Sequence, residues 1–161
     1  MESLCYETIE LLRLKNLTLA SAESCTGGLV AKMITDVAGC SDVFEGGVVS
    51  YSNDVKMKLL GVKPKTLEKH GAVSGETAKE MALGVRRACM ADIGISTTGI
   101  AGPTGGTKEK PVGTVYIGIS FGDICESELL SINPEYSREK IRNVAAQKIL
   151  ELLYKKIKEN Y

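Results

Sequence analysis

Ala22-Glu23-Ser24-Cys25-Thr26-Gly27-Gly28 follows the apolar run Leu17-Thr18-Leu19-Ala20 and precedes an amphipathic stretch from Leu29 to Val37. That order reads as strand, tight turn, helix. It places a hydroxyl, a thiol and two glycines where the backbone N–H groups of a helix start lack partners. Such a turn can hold an anion or a developing oxyanion. A serine nucleophile at a strand-to-helix turn recurs in hydrolases, although the G-x-S-x-G form does not stand here. A polar N-cap, with Ser24 or Thr26 as the capping residue, accounts for the same residues without any chemistry.

Outward from this turn, helical and strand patterns alternate. Residues 2–15 read as a helix, 17–22 as a strand and 27–38 as a helix. Phe44 to Tyr51 is rich in β-formers and leads into a short helix, Asn53–Leu60, closed by Gly61. A brief turn after Pro64 reaches His70-Gly71, and Ser74 with Thr77 opens a helix running to Met90. Ile93–Thr98 is a strand, 99–111 a glycine-rich loop, and 113–121 and 124–132 are strands joined by a hairpin at Gly122-Asp123. Pro134 precedes a last helix over 137–157. No repeat, linker or boundary interrupts residues 1–161, so the reading is one domain of α/β class, layered around a mixed sheet.

Composition bounds the function. Twenty basic and twenty acidic side chains cancel, whereas a nucleic-acid binder carries a basic surplus, so direct DNA or RNA binding is not expected. No apolar run reaches the roughly 18 residues of a membrane span, and the first residues lack a signal-peptide pattern. Five cysteines, odd in number and widely spaced, point to a reducing cytoplasm rather than a disulfide framework or structural zinc. Four of them read as small core residues. Cys25, by its neighbours, is a candidate for chemistry.

Three further constellations accompany the Ser24 turn. Tyr51 ends a strand and Lys56 lies about a turn along the next helix, so both can converge on the end of the sheet where open α/β folds bind ligands. An exposed tyrosine and a solvated lysine are the plain alternative. Gly99-Ile100-Ala101-Gly102-Pro103-Thr104-Gly105-Gly106 follows a strand directly and can bring backbone N–H groups close to a phosphate, although it lacks the P-loop lysine; a surface loop would look the same. Arg138 and Arg142, one turn apart at the start of the last helix, form a fork of donors suited to phosphate or carboxylate, and would equally suit a solvated helix face.

The single histidine, His70, has no acidic partner signalled by spacing, so a Ser-His-Asp triad is not readable and a His-rich metal site is unavailable. A serine nucleophile would instead be activated by Lys56 or Tyr51. With the usual lysine pKa of ~10.4, only about 4 amines in 10,000 are neutral at pH 7. Burial or nearby positive charge must therefore depress it.

Taken together, the Ser24 turn, Val49-Ser50-Tyr51-Ser52-Asn53 with Lys56, His70-Gly71-Ala72-Val73-Ser74, and Gly99-Ile100-Ala101-Gly102-Pro103 through Lys110-Pro111-Val112-Gly113-Thr114-Val115 resemble the CinA C-terminal family over nearly the whole chain. The resemblance implies a three-layer α/β/α sandwich with a mixed sheet of about five strands, and homodimers or larger assemblies. It implies hydrolysis of the carboxamide of nicotinamide mononucleotide to nicotinic acid mononucleotide and ammonia, in pyridine nucleotide recycling, with no cofactor and no metal. By motif position Ser24 is the nucleophile and Tyr51 and Lys56 activate it. The loop residues Gly99, Ala101, Gly102, Gly105 and Gly106, with Arg138, hold the nucleotide. Thr26, Gly27 and Gly28 are expected to supply an oxyanion or phosphate contact. Many relatives carry an additional N-terminal domain, and this sequence is similar to the stand-alone deamidases.

The family often has Gly-Asp-Arg or Gly-Asn-Arg before the last helix; Tyr136-Ser137-Arg138 stands here. Two other function classes fit the same residues: a thiol enzyme using Cys25, and a nucleotide-binding or regulatory module without catalysis.

Overall fold

The computed structural model describes residues 2–161, of Glu2 only the backbone. The chain runs α1 (Glu2–Leu14), β1 (Leu19–Glu23), α2 (Leu29–Thr35), a 3₁₀ turn (Cys40–Asp42), β2 (Phe44–Val49), α3 (Asn53–Leu60), α4 (Pro64–His70), α5 (Gly75–Ala88), β3 (Ile93–Gly99), β4 (Thr114–Phe121), β5 (Ile124–Ser131) and α6 (Arg138–Asn160). The five strands form one sheet in the order β2-β1-β3-β4-β5. β1 pairs in parallel with both β2 and β3, and the remaining pairs are antiparallel. The mixed five-stranded sheet flanked by helices is the architecture expected.

The central strands β1, β3 and β4 are largely buried because each face of the sheet is covered. α1, α2 and α6 lie on one, closing a core that joins Leu19, Ile93, Ile117 and Ile119 to Ile141, Ile149 and Leu153. α5, with α3 and α4 beside it, covers the other, where Ala20 and Ala22 meet Met81 and Val85. Here α5 approaches closely: Ser96 Oγ donates to the Ala78 carbonyl (2.6 Å). A Cβ at Gly94 or Gly118 would collide with the carbonyl oxygens of Ala82 and Ala78, so glycine is required by close approach rather than by turn geometry.

Capping follows the sequence in most places. Ser52, Ser74 and Ser137 accept the N–H of Val55, Thr77 and Lys140 at the starts of α3, α5 and α6. Ser137 thus supplies the cap that an acidic or amide side chain would give at that position. One element differs: the turn expected after Pro64 is a seven-residue helix. Its first turn is held by Glu80 of α5, which accepts from Lys63 N (2.8 Å) and Thr66 Oγ1 (2.7 Å). That cap lies across the fold, invisible to local pattern.

The topology fixes where a ligand can bind. From β1 the chain crosses over one face through α2 to β2, then over the other through α3–α5 to β3. The carboxyl end of β1 is therefore a topological switch point, with a crevice between diverging connections. No helix among the described residues is long and apolar enough to cross a membrane.

Candidate active site

Strand alternation sets the roles of adjacent side chains at the end of β1. Ala20 and Ala22 face α5, so Glu23 points to the α2 side and Ser24, whose N–H extends the ladder to Thr97 O (2.9 Å), turns toward α3. On α3, Lys56 and Leu60 share the buried face one turn apart. A lysine thus occupies the place of a core aliphatic.

Lys56 is 1% exposed. Its Nζ donates to the Ser50 carbonyl (2.8 Å) and lies 3.1 Å from Ser24 Oγ. No carboxylate pairs with it among the described residues. Burial lowers its pKa; a thiolate at Cys25 would raise it again. Cys25, however, is 5% exposed and its thiol is pushed up to about 12, chiefly by burial, with the neighbouring Glu23 charge acting the same way. The thiol stays protonated at neutral pH, so no negative charge at Cys25 offsets the desolvation of Lys56. An ammonium would donate to both oxygens, whereas a neutral amine would donate to Ser50 O and accept from the Ser24 hydroxyl; either state leaves one N–H without a partner among the described residues.

Ser24, Lys56 and Tyr51 border one hollow of about 220 Å³, closed by Asn53, Ala72, Val73, Thr98 and Ala101, with Gly99 and Arg138 at its margin. Tyr51 is 62% exposed. Its hydroxyl accepts from Arg138 Nη2 (2.9 Å), while Arg138 Nη1 donates to Gly102 O (2.8 Å). Arg138 therefore ties the tyrosine to the glycine loop at the mouth.

Other expected residues lie elsewhere or do different work. Gly102, Gly105 and Gly106 do not line the hollow. A Cβ at Gly102 or Gly106 would press on Val112, so these glycines let the loop fold back on itself. Thr26 is fully buried, its hydroxyl shared between Glu23 Oε2 (2.6 Å) and Thr97 Oγ1 (2.7 Å). Gly27 N–H goes to Ser24 O (3.1 Å) and Gly28 N–H to Glu23 Oε2 (3.1 Å). The helix start expected to receive an anion is thus already filled by an internal one. Arg142 donates to the carbonyls of Cys25 (3.2 Å) and Thr26 (2.8 Å), and with Arg138 it borders a second hollow of about 520 Å³. The cysteines also differ from expectation, since Cys25 and Cys5 are buried while Cys40, Cys89 and Cys125 are partly exposed.

Glu23, Thr98 and Lys110 are the residues the sequence reading passed over. Thr98 donates to Ala72 O (2.7 Å), and Lys110 Nζ to His70 O (2.8 Å) and Val73 O (2.6 Å), which holds the wall formed by Ala72 and Val73. A charged residue ending an otherwise apolar strand was the available signal for Glu23.

Residues 1–157 match the family model described as the CinA C-terminal domain. The chain belongs to the CinA C-terminal domain family. Among curated CinA relatives, a competence-damage inducible protein of Thermoanaerobacter pseudethanolicus is 57% identical over 136 residues, covering 84% of this chain and 33% of that protein. A CinA-like protein of Kosmotoga olearia is 53% identical over 152 residues, 94% of this chain and 36% of that one. The chain thus spans about a third of the length of these relatives. The crystal structure of competence damage-inducible protein A from Klebsiella pneumoniae superposes with a TM-score of 0.95 at 31% identity, covering 99% of this chain and 98% of that one. That of competence/damage inducible protein CihA from Agrobacterium tumefaciens gives 0.91 at 38% identity, with 94% and 92% covered. None of these CinA names states a reaction.

Proposed function

We propose that this domain hydrolyses the carboxamide of nicotinamide mononucleotide, with Ser24 as nucleophile and Lys56 as its base. The observation that carries the reading is a buried amine with no counter-ion among the described residues, 3.1 Å from a serine hydroxyl, in a hollow at the switch point of the sheet. The family resemblance supplies the substrate. The site supplies the chemistry.

In the first step the Ser24 oxygen attacks the amide carbon and its proton passes to Lys56. The carbonyl oxygen becomes an oxyanion and needs a donor. Cys25 lines the hollow, and no oxygen of the described residues accepts its N–H, so that group is the nearest available donor. The C–N bond then breaks as the Lys56 ammonium returns its proton to the leaving nitrogen, which departs as ammonia. Water attacks the acyl-serine, Lys56 accepts its proton, and the acid is released as that proton returns to Ser24. Tyr51, accepting from Arg138, keeps its own proton free to donate into the hollow. Arg138 retains donors for a phosphate.

An ammonia-release assay across nicotinamide, its riboside, its mononucleotide and the dinucleotide tests this. Preference for the mononucleotide is expected, with Ser24→Ala inactive yet still binding nucleotide. Binding without ammonia release by the unaltered protein would establish the regulatory reading instead.

A further inference from the structure

We infer that Glu23 and Arg142 are positioning residues that together hold the nucleophile turn in its working shape; the inference rests on the Ser24 hydrolase reading. Glu23 is 1% exposed. Its carboxylate reaches over the turn and accepts four hydrogen bonds, from Thr26 Oγ1 (2.6 Å), Gly28 N (3.1 Å), Val30 N (3.0 Å) and Ala31 N (2.8 Å). Its own carbonyl accepts from Ser50 N (2.8 Å). One residue therefore fastens β1, the start of α2 and the end of β2. Thr97 braces the same knot through Thr26 (2.7 Å).

Arg142 acts from the outside. Its Nε and Nη2 take two successive carbonyls of the turn, those of Cys25 and Thr26. Carbonyl and N–H point in opposite directions across a trans peptide. With Cys25 O held by Arg142, the N–H of Thr26 is turned away from that side chain. With Ser24 O taken by Gly27 N–H inside the turn, the N–H of Cys25 is turned outward. The clamp thus holds the backbone on which the Ser24 hydroxyl and the partnerless Cys25 N–H are carried. Neither Glu23 nor Arg142 lines the hollow that holds Ser24, although Arg142 borders a second one beside Arg138; the effect of Glu23 passes through the turn.

Glu23→Gln keeps the volume but offers a nitrogen where an oxygen accepted N–H groups. A displacement of about 1 Å at a reacting group costs on the order of 10²-fold in rate, so kcat should fall by about that factor with KM within about twofold. The pH at which activity rises should not move, since Lys56 is untouched. Ile149→Val, a conservative change in the buried core, serves as a control and should leave kcat unaltered. Independently of any amide, the rate at which an aryl sulfonyl fluoride modifies Ser24 should drop in Glu23→Gln. Should Glu23→Gln not fold, Arg142→Lys reads the same device, because a point cation cannot hold both carbonyls; a roughly tenfold loss of kcat at unchanged KM is expected. Equal sulfonylation rates in the unaltered protein and the folded variant, or kcat within twofold of it, overturn the clamp. Normal sulfonylation of Ser24 with no ammonia from the mononucleotide would sink the amidase reading and leave the clamp standing.

Discussion

Lys56 Nζ meets Ser24 Oγ at 3.1 Å across 32 positions of sequence. Two periodicities bring them together. Alternation along β1 turns Ser24 toward α3, and the helical repeat puts Lys56 on the same buried face as Leu60. Each helix and strand would form without the pair; what the pair adds is a buried polar contact with little protein around it to stabilise charge.

The activity of Lys56 should depend on pH with a definite sign. The base works as the neutral amine, so kcat/KM rises as pH rises through the Lys56 pKa, and burial places that rise below the ordinary lysine value. Lys56→Met should lose about 10²- to 10⁴-fold and show no such rise. Lys56→Arg should be as inactive, because a guanidinium keeps its proton. A pH–rate profile of the three proteins checks this.

Stability should carry the same signature. In the unfolded chain Lys56 keeps its proton up to about pH 10.4; in the fold it gives it up earlier. Between the two values the unfolded state binds more protons, so this group's contribution is complete above the ordinary value and is lost as pH falls to the folded one. Urea midpoints from pH 7 to 10 should climb more steeply for the unaltered protein than for Lys56→Met. Parallel curves would show that the amine is not desolvated.

Arg138 lies outside the buried pair and should affect binding. Arg138→Gln should raise KM for the mononucleotide about tenfold, in line with loss of one charge-assisted bond, and leave the riboside unchanged. An equal effect on both substrates would move the phosphate elsewhere. Tyr51→Phe removes the anchor of one arm of the same arginine and a hydroxyl that borders the hollow, so it should lower kcat as well as disturb binding.

Cys25 should be chemically silent. With its thiol pushed up to about 12 and almost no exposed surface, iodoacetamide at pH 7.5 should leave it unmodified in the folded protein and modify it after denaturation. Cys25→Ala should turn over substrate. Rapid labelling with loss of activity would restore the thiol mechanism.

The strand–turn–helix at Ser24 was legible because apolar run, polar turn and amphipathic stretch succeed one another locally, and the hairpin at Gly122-Asp123 for the same reason. α4 was not: Pro64–His70 has no apolar stripe, and its cap, Glu80, comes from another helix. The helix over 27–38 shortens to Leu29–Thr35, at its start because Gly27 and Gly28 belong to the turn. The Ser24, Tyr51 and Lys56 cluster was readable as three residues at strand and helix ends. Glu23 and Arg142 were not readable as turn-holding residues, because their partners are backbone groups, which no side-chain pattern records. The glycines after β3 looked like a phosphate cradle; at Gly102 and Gly106 it is contact with Val112 that demands them.

β2 is an outer strand, with β1 as its sole neighbour in the sheet. Ser50 and Tyr51 follow it directly, and α3 with Lys56 comes next. Half the machinery therefore hangs from a border, whereas Ser24 hangs from an interior strand flanked on both sides. Borders fray first. On warming, the serine would keep its place while the lysine drifted off, and turnover would fade before the bulk of the molecule let go.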